Sequence, residues 1–193
     1  DALSIAYLQL GLISEAIELL LFAINKFPDT LNFPFSLANI YFSTGDLINA
    51  ENYLYKILII DPEFVSAKHQ LAMIFEEKNQ IFSSDSLFVD IIEKNKYNSV
   101  YKNDYAYVLA ERDGSSDQKL EYALYLAEKA VKMEPDNAAY LDTLGWINYK
   151  LGFYIKAQEY LEKSIKINDK NLVILEHLAD IYAKINKFSE AIV

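Results

Sequence analysis

Apolar residues recur along this chain in an i, i+1, i+4 pattern, as in Leu37, Ala38, Tyr41 and again in Leu71, Ala72, Phe75. That spacing lines one face of a helix and cannot line one face of a strand. The first member of the face returns throughout as Leu3, Leu37, Leu71, Tyr105, Leu144 and Leu178. A small-residue series runs beside it: Ser4, Ala38, Ala72, Ala106, Gly145 and Ala179, with steps of 34, 34, 34, 39 and 34 residues. A second small series, Ala16, Ala50, Ser84, Ala123, Ala157 and Ala191, steps by 34, 34, 39, 34 and 34. Pro28, Pro62 and Pro135 keep the same beat, as do Gly11, Gly45, Asn79, Gly152 and Asn186. Five series with one period predict a repeat array.

Each column has a physical task. Gly or Asn tolerates the left-handed backbone that closes a helix. Proline stops the following helix. Small residues at two facing sites let paired helices approach, where a larger side chain would overpack the joint at a cost of ~1–3 kcal/mol. Each unit is therefore predicted to be two antiparallel helices, buried only when stacked on its neighbours. Six units in a single array over 1–193 are expected: 1–30 (partial), 31–64, 65–98, 99–137, 138–171 and 172–193 (partial). The single 39-residue step falls between Ala106 and Ala123 and places a five-residue insertion near 112–118, a polar stretch that reads as loop.

Composition narrows the function classes. Of 193 residues 52% are apolar, enough for a core, while 5 Gly and 4 Pro are too few for many tight turns. A formal charge of −10 argues against a nucleic-acid surface and against docking on anionic lipid. There is no cysteine, hence no disulfide framework and no thiolate chemistry. The longest apolar run, Leu19 to Ile24, is far short of the ~20 residues that span a bilayer. No signal peptide is visible, and a chain that opens on Asp1 inside a repeat is expected to be a fragment of something longer. His69 and His177 lie three units apart without metal-ligand spacing, so no metal or other cofactor is expected. The acid pairs Glu76-Glu77 and Asp85-Asp90 read as solvated faces rather than a general acid and base, and no catalytic residue is assigned. Lys94, Lys96 and Lys102 form the one basic spot, expected to be a solvated connection between units.

The unit 31–64 resembles the tetratricopeptide repeat family. Leu37-Ala38, Tyr41, Gly45, Ala50, Leu54 and Pro62 stand where the family has Leu-Gly, Tyr, Gly, Ala, an aromatic or Leu, and Pro. Leu144-Gly145, Gly152, Ala157 and Leu161 match as well, and Tyr140 to Trp146 is similar to a phrase common in bacterial members. Asn148 departs in the aromatic column, and Lys96 and Asp169 replace the helix-ending proline. Pentatricopeptide repeats bind RNA, which the net charge disfavours, and Sel1-type repeats run longer.

The resemblance implies an all-α, right-handed α-solenoid of antiparallel helix pairs whose first helices line a concave groove. Carried over column by column, the peptide-binding residues would be Phe35, Asn39 and Phe42; His69, Gln70, Met73, Glu76 and Glu77; Asn103, Asp104, Tyr107 and Glu111; Asp142, Thr143, Trp146, Tyr149 and Lys150; and Glu176, His177, Asp180 and Lys184. Acids outnumber lysines in this set, and its aromatics are expected to be exposed anchors, which suits a basic and apolar peptide, with cation–π contact at Trp146 or Tyr107. A carboxylate-gripping clamp is not matched, since Phe35 and Gln70 stand where Lys and Asn would be needed. The expectation is thus a protein-binding scaffold, not an enzyme. Two alternatives stay open: the repeat region of a larger enzyme that presents substrate to a catalytic domain outside this sequence, and a self-assembling module that pairs through exposed end repeats. The compartment is left open between bacterial cytoplasm and periplasm.

Overall fold

The computed structural model describes residue 7 and residues 9–185. The calls on Leu3, Ser4, Asn186 and Ala191, and the outer parts of both end units, lie outside those residues. The fold is an all-α helical repeat: ten helices and no strand among the described residues. Two compact units divide the chain, Asp1–Lys94 and Asn95–Val193. The first holds α1 (Ile13–Lys26), α2 (Asn32–Ser43), α3 (Leu47–Ile60), α4 (Val65–Glu77) and α5 (Ile81–Lys94). The second holds α6 (Ser99–Glu111), α7 (Asp117–Met133), α8 (Ala138–Lys150), α9 (Tyr154–Ile167) and α10 (Leu172–Lys184).

The punctuation columns act locally as their chemistry dictates. Gly45, Asn79 and Gly152 have φ of 80°, 54° and 81°, and Asn79 is the non-glycine residue that takes this conformation. In each case the next residue's N–H reaches back to the helix: Asp46 N to Tyr41 O at 2.8 Å, Gln80 N to Phe75 O at 2.7 Å, and Phe153 N to Asn148 O at 2.8 Å. Gly11, with φ 74° and Leu12 N to Tyr7 O at 2.9 Å, does the same, so one closing turn is used four times, satisfying carbonyls the helix end would orphan. Helix starts are capped by Asp46, Asn98, Ser116, Asn137 and Asn171, whose side chains accept backbone N–H groups. Each such cap contributes about 1 kcal/mol.

The joints are tight because the columns are small. Ala16, Ala50, Ser84, Ala123 and Ala157 are fully buried, as are Ala38, Ala72 and Ala106. A Cβ on Gly145 would come within 2.8 Å of Leu161 Cγ and 3.2 Å of the Ala157 carbonyl. In unit 1 a core of Ala50, Leu54, Ile57, Ala67, Leu71 and Ile74 ties α3 to α4. In unit 2 Ala157, Leu161, Ile174, Leu178 and Ile181 tie α9 to α10.

Three sequence departures find their explanation here. Asn148 is buried in the aromatic column and donates to Leu144 O at 2.8 Å, satisfying itself within its own helix. Without proline, α5 and α9 still end at Lys94 and Ile167, so the repeat geometry stops them. The insertion is only partly a loop. Residues 112–116 link α6 to α7 where other hairpins use three residues, and α7 has 17 residues where α3, α5 and α9 have 14. Two extra residues lengthen the loop and three lengthen the helix.

Candidate protein-binding face

The predicted contact residues sit on first helices, where the period put them. In unit 1 they are half-buried: Phe35, Asn39 and Phe42 on α2, and His69, Gln70, Met73 and Glu76 on α4. Phe35 meets the Phe64 ring at 5.5 Å, and both Phe35 and Phe42 pack against the core cluster. The His69 ring stands edge-on to Phe88 of α5 at 5.8 Å, within its own hairpin. Glu77 is exposed.

In unit 2 the corresponding residues of α6, α8 and α10 are knitted together. His177 Nδ1 and Asp142 Oδ1 lie 2.9 Å apart, both residues buried. The His177 ring stacks on Trp146 at 4.0 Å and 13°. Tyr149 stacks on Trp146 at 4.9 Å, and the Lys150 ammonium sits 4.7 Å from its ring centre. The Trp146 indole N–H donates to Glu111 Oε1. Both polar links, Trp146 to Glu111 and His177 to Asp142, join successive first helices, but from different columns of the repeat. Thr143 is buried beside Asp142. Asn103 is also buried: its amide N–H donates to Asp104 at 3.4 Å, and its Oδ1 has no hydrogen-bond partner among the described residues. Burial first, then Glu111 and Asp142, raise the Tyr107 phenol above its ordinary range. Burial, Asp180 and Tyr154 do the same for Tyr149. Glu111, Lys150, Glu176, Asp180 and Lys184 remain exposed.

Two expectations are corrected. Trp146 is not an exposed anchor: it is 8% exposed, because His177, Tyr149 and Lys150 cover it. The cation–π partner foreseen from a ligand is already supplied by the chain's own Lys150. Nor is all of the lysine cluster a solvated connection: Lys94 and Lys96 are exposed, Lys96 in the link itself, but Lys102 is not. Lys102 is buried and donates to Lys96 O at 2.6 Å and Asn98 O at 3.0 Å, and burial lowers its pKa. Lys94 belongs, in unit 1, to a ring of charges with Glu63, Asp90 and Lys68, with closest approaches of 2.9–3.3 Å. Nothing in the spacing of lysines announces either role; only neighbours brought in by the fold do.

A tetratricopeptide repeat model matches residues 35–64, and a model described as anaphase-promoting complex, cyclosome, subunit 3 matches 116–193. The chain belongs to the tetratricopeptide repeat family. Its members are, as a class, protein-interaction scaffolds. A TPR repeat-containing protein of Pseudomonas aeruginosa is 30% identical over 105 residues, which cover 54% of this chain and 17% of that protein. The type IV pilus assembly protein PilF of the same organism is 23% identical over 151 residues, 78% of this chain and 59% of PilF. The chain thus spans less than two thirds of the length of either curated relative. Among solved structures, that of Pseudomonas aeruginosa PilF has a TM-score of 0.72 at 23% identity, covering 83% of this chain and 71% of that one. The Cut9–Hcn1 hetero-tetramer of the anaphase-promoting complex gives 0.85 at 17% identity, covering 99% of this chain and 37% of that one. At such identities the likeness shows the tetratricopeptide fold alone. Among the described residues no helix is long and apolar enough to cross a membrane, and no group of three His, Asp or Glu residues could hold a metal ion.

Proposed function

We propose that this tetratricopeptide chain is a non-catalytic scaffold that binds a basic, partly apolar peptide segment on the first-helix face of unit 2. The observation that carries the reading is the fixed network of Glu111, Trp146, His177 and Asp142, flanked by the exposed acids Glu176 and Asp180. Side chains already locked by stacking lose little entropy when a ligand arrives. The ligand's cation would meet Glu111 and Asp180, and its apolar group the accessible parts of Tyr107 and Tyr149. Trp146 serves as the floor of the site, not as its anchor. The pilus assembly relative suggests components of pilus assembly as the first natural baits.

The test is a titration of matched lysine-rich, glutamate-rich and uncharged aromatic peptides, read through Trp146 fluorescence. The lysine–aromatic peptide should bind, more weakly as salt is added, and E111Q together with D180N should weaken it roughly tenfold. Equal binding of the acidic peptide, or binding indifferent to salt, would overturn the reading.

A further inference from the structure

The outward side of α3 carries a second pattern, unrelated to the first-helix face. Ile48 and Ile59 are 73% and 80% exposed, Tyr55 is 44% exposed, and Asn52 is exposed between them. Positions 48, 52, 55 and 59 fall on one stripe of the helix, opposite the buried Ala50, Leu54 and Ile57. Their 4-3-4 spacing is that of a seam between two packed helices. The same outward positions on α5 hold Phe82 and Val89, 87% and 38% exposed, with Ser86 and Glu93 at the other two. Apolar side chains scattered singly need no explanation, but a stripe that recurs on the next second helix of the same unit does. The second helices of unit 2 carry less of it: their outward positions are mostly charged, with Glu121, Glu128 and Lys132 on α7 and Glu159 and Lys166 on α9, though Tyr125 and Ile155 are exposed among them.

The stripe is palindromic. Run antiparallel to a copy of itself about its midpoint, Ile48 lies opposite Ile59 and Asn52 opposite Tyr55, and at the flank Glu51, which already holds Lys78 at the end of α4 at 2.5 Å, lies opposite Lys56. Apolar residues meet apolar residues, the Asn–Tyr pair meets itself, and the flanking charges are of opposite sign. That is the requirement for a two-fold interface in which one patch serves both partners. An exposed helix ridge offers no recess for an extended peptide. Nor does it suit anionic lipid, since α3 carries a single basic residue, Lys56. We infer that the outward face of α3, flanked by α5, is a homodimer interface in which two copies of this chain pack α3 against α3 in antiparallel register. This surface is distinct from the end repeats considered at the outset, and it stands whether or not unit 2 binds a peptide.

Sedimentation equilibrium of the 193-residue chain, from micromolar to near-millimolar, tests the inference. A reversible monomer–dimer equilibrium is expected. I48E or I59E should weaken it roughly 100-fold, because each buries unpaired charge at the seam. Both sites are mostly exposed, so circular dichroism should be unchanged. The discriminating variant combines I48E with I59K, which places opposite charges across the two-fold and should restore a dimer that now weakens in salt. A monomer at every concentration overturns the inference, as does a dimer that I48E and I59E leave intact. Binding of the monomer to anionic or zwitterionic vesicles through these residues overturns it too, and assigns the face to lipid.

Discussion

Units 1 and 2 are built from the same repeat and use their polar residues in opposite ways. Unit 1 keeps its ion pairs at the surface, in the ring of Glu63, Lys68, Asp90 and Lys94, and leaves the outside of α3 apolar. Unit 2 buries Asn103, Asp142 and His177 along its first helices and sets mostly charged residues at the outward positions of its second helices. The joints between paired helices are nevertheless the same small-residue contacts in both. The repeat specifies how helices pack and leaves both outer surfaces free, so two copies of one architecture can carry unrelated faces.

Four measurements would break or sharpen that comparison. The largest effect is expected at the shared joint. Leu54 and Leu161 occupy the same column and are both fully buried; L54A and L161A should each cost about 2–5 kcal/mol in urea unfolding followed by circular dichroism. Markedly unequal costs would mean that the joint is not a common part. Next, D142A leaves the His177 ring nitrogen buried without its carboxylate, which should cost about 1–3 kcal/mol and alter Trp146 emission. Unchanged emission would show that the stack does not depend on that contact. At the closest approach of the helices, unit 2 has Gly145 where unit 1 has Ala38. G145A forces Leu161 aside, and A38G loosens a helix interior, so opposite changes in one column should each destabilise by about 1 kcal/mol. A stabilising G145A would mean that Leu161 yields freely.

The smallest effect is one of salt and acid. Hydrogen bonds from Lys94 and Lys68 hold the Glu63 carboxyl below its ordinary range, and the same two lysines do so for Asp90. In unit 2 the Ser99 hydroxyl and Asn137 amide lower Glu134. A depressed carboxyl lends stability that is complete above the ordinary carboxylate range and vanishes as pH falls through the lowered value. Both units should therefore lose this support on acidification. Added salt should weaken it at neutral pH only in unit 1, where the partners are charged. Acid titrations followed by circular dichroism at low and high ionic strength would show whether the distinction holds.

The architecture was legible because it is written in columns. Gly45, Asn79 and Gly152 name the closing turn, and Ala50 and Ala157 name the joint; each follows from backbone conformation or volume, which residue type states directly. The covered state of Trp146 was not legible. Period places it on the first-helix face, but the side chains that cover it come partly from α10, and no local pattern says that His177 will lie flat against it. Lys102 was misread for the same reason: whether a lysine is solvated depends on which carbonyls the chain folds over it. The stripe on α3 was present in the sequence as Ile48, Tyr55 and Ile59, yet a reading guided by family columns attends to the other helix of each pair.

The division of the extra residues at 112–116 and in α7 has a practical consequence. Downstream of it the array resumes its beat without a slip, since Gly145 still meets Leu161 and Gly152 still closes its turn. The chain therefore contains a length buffer, and a foreign segment could be spliced at Gly114 with every later repeat staying in phase.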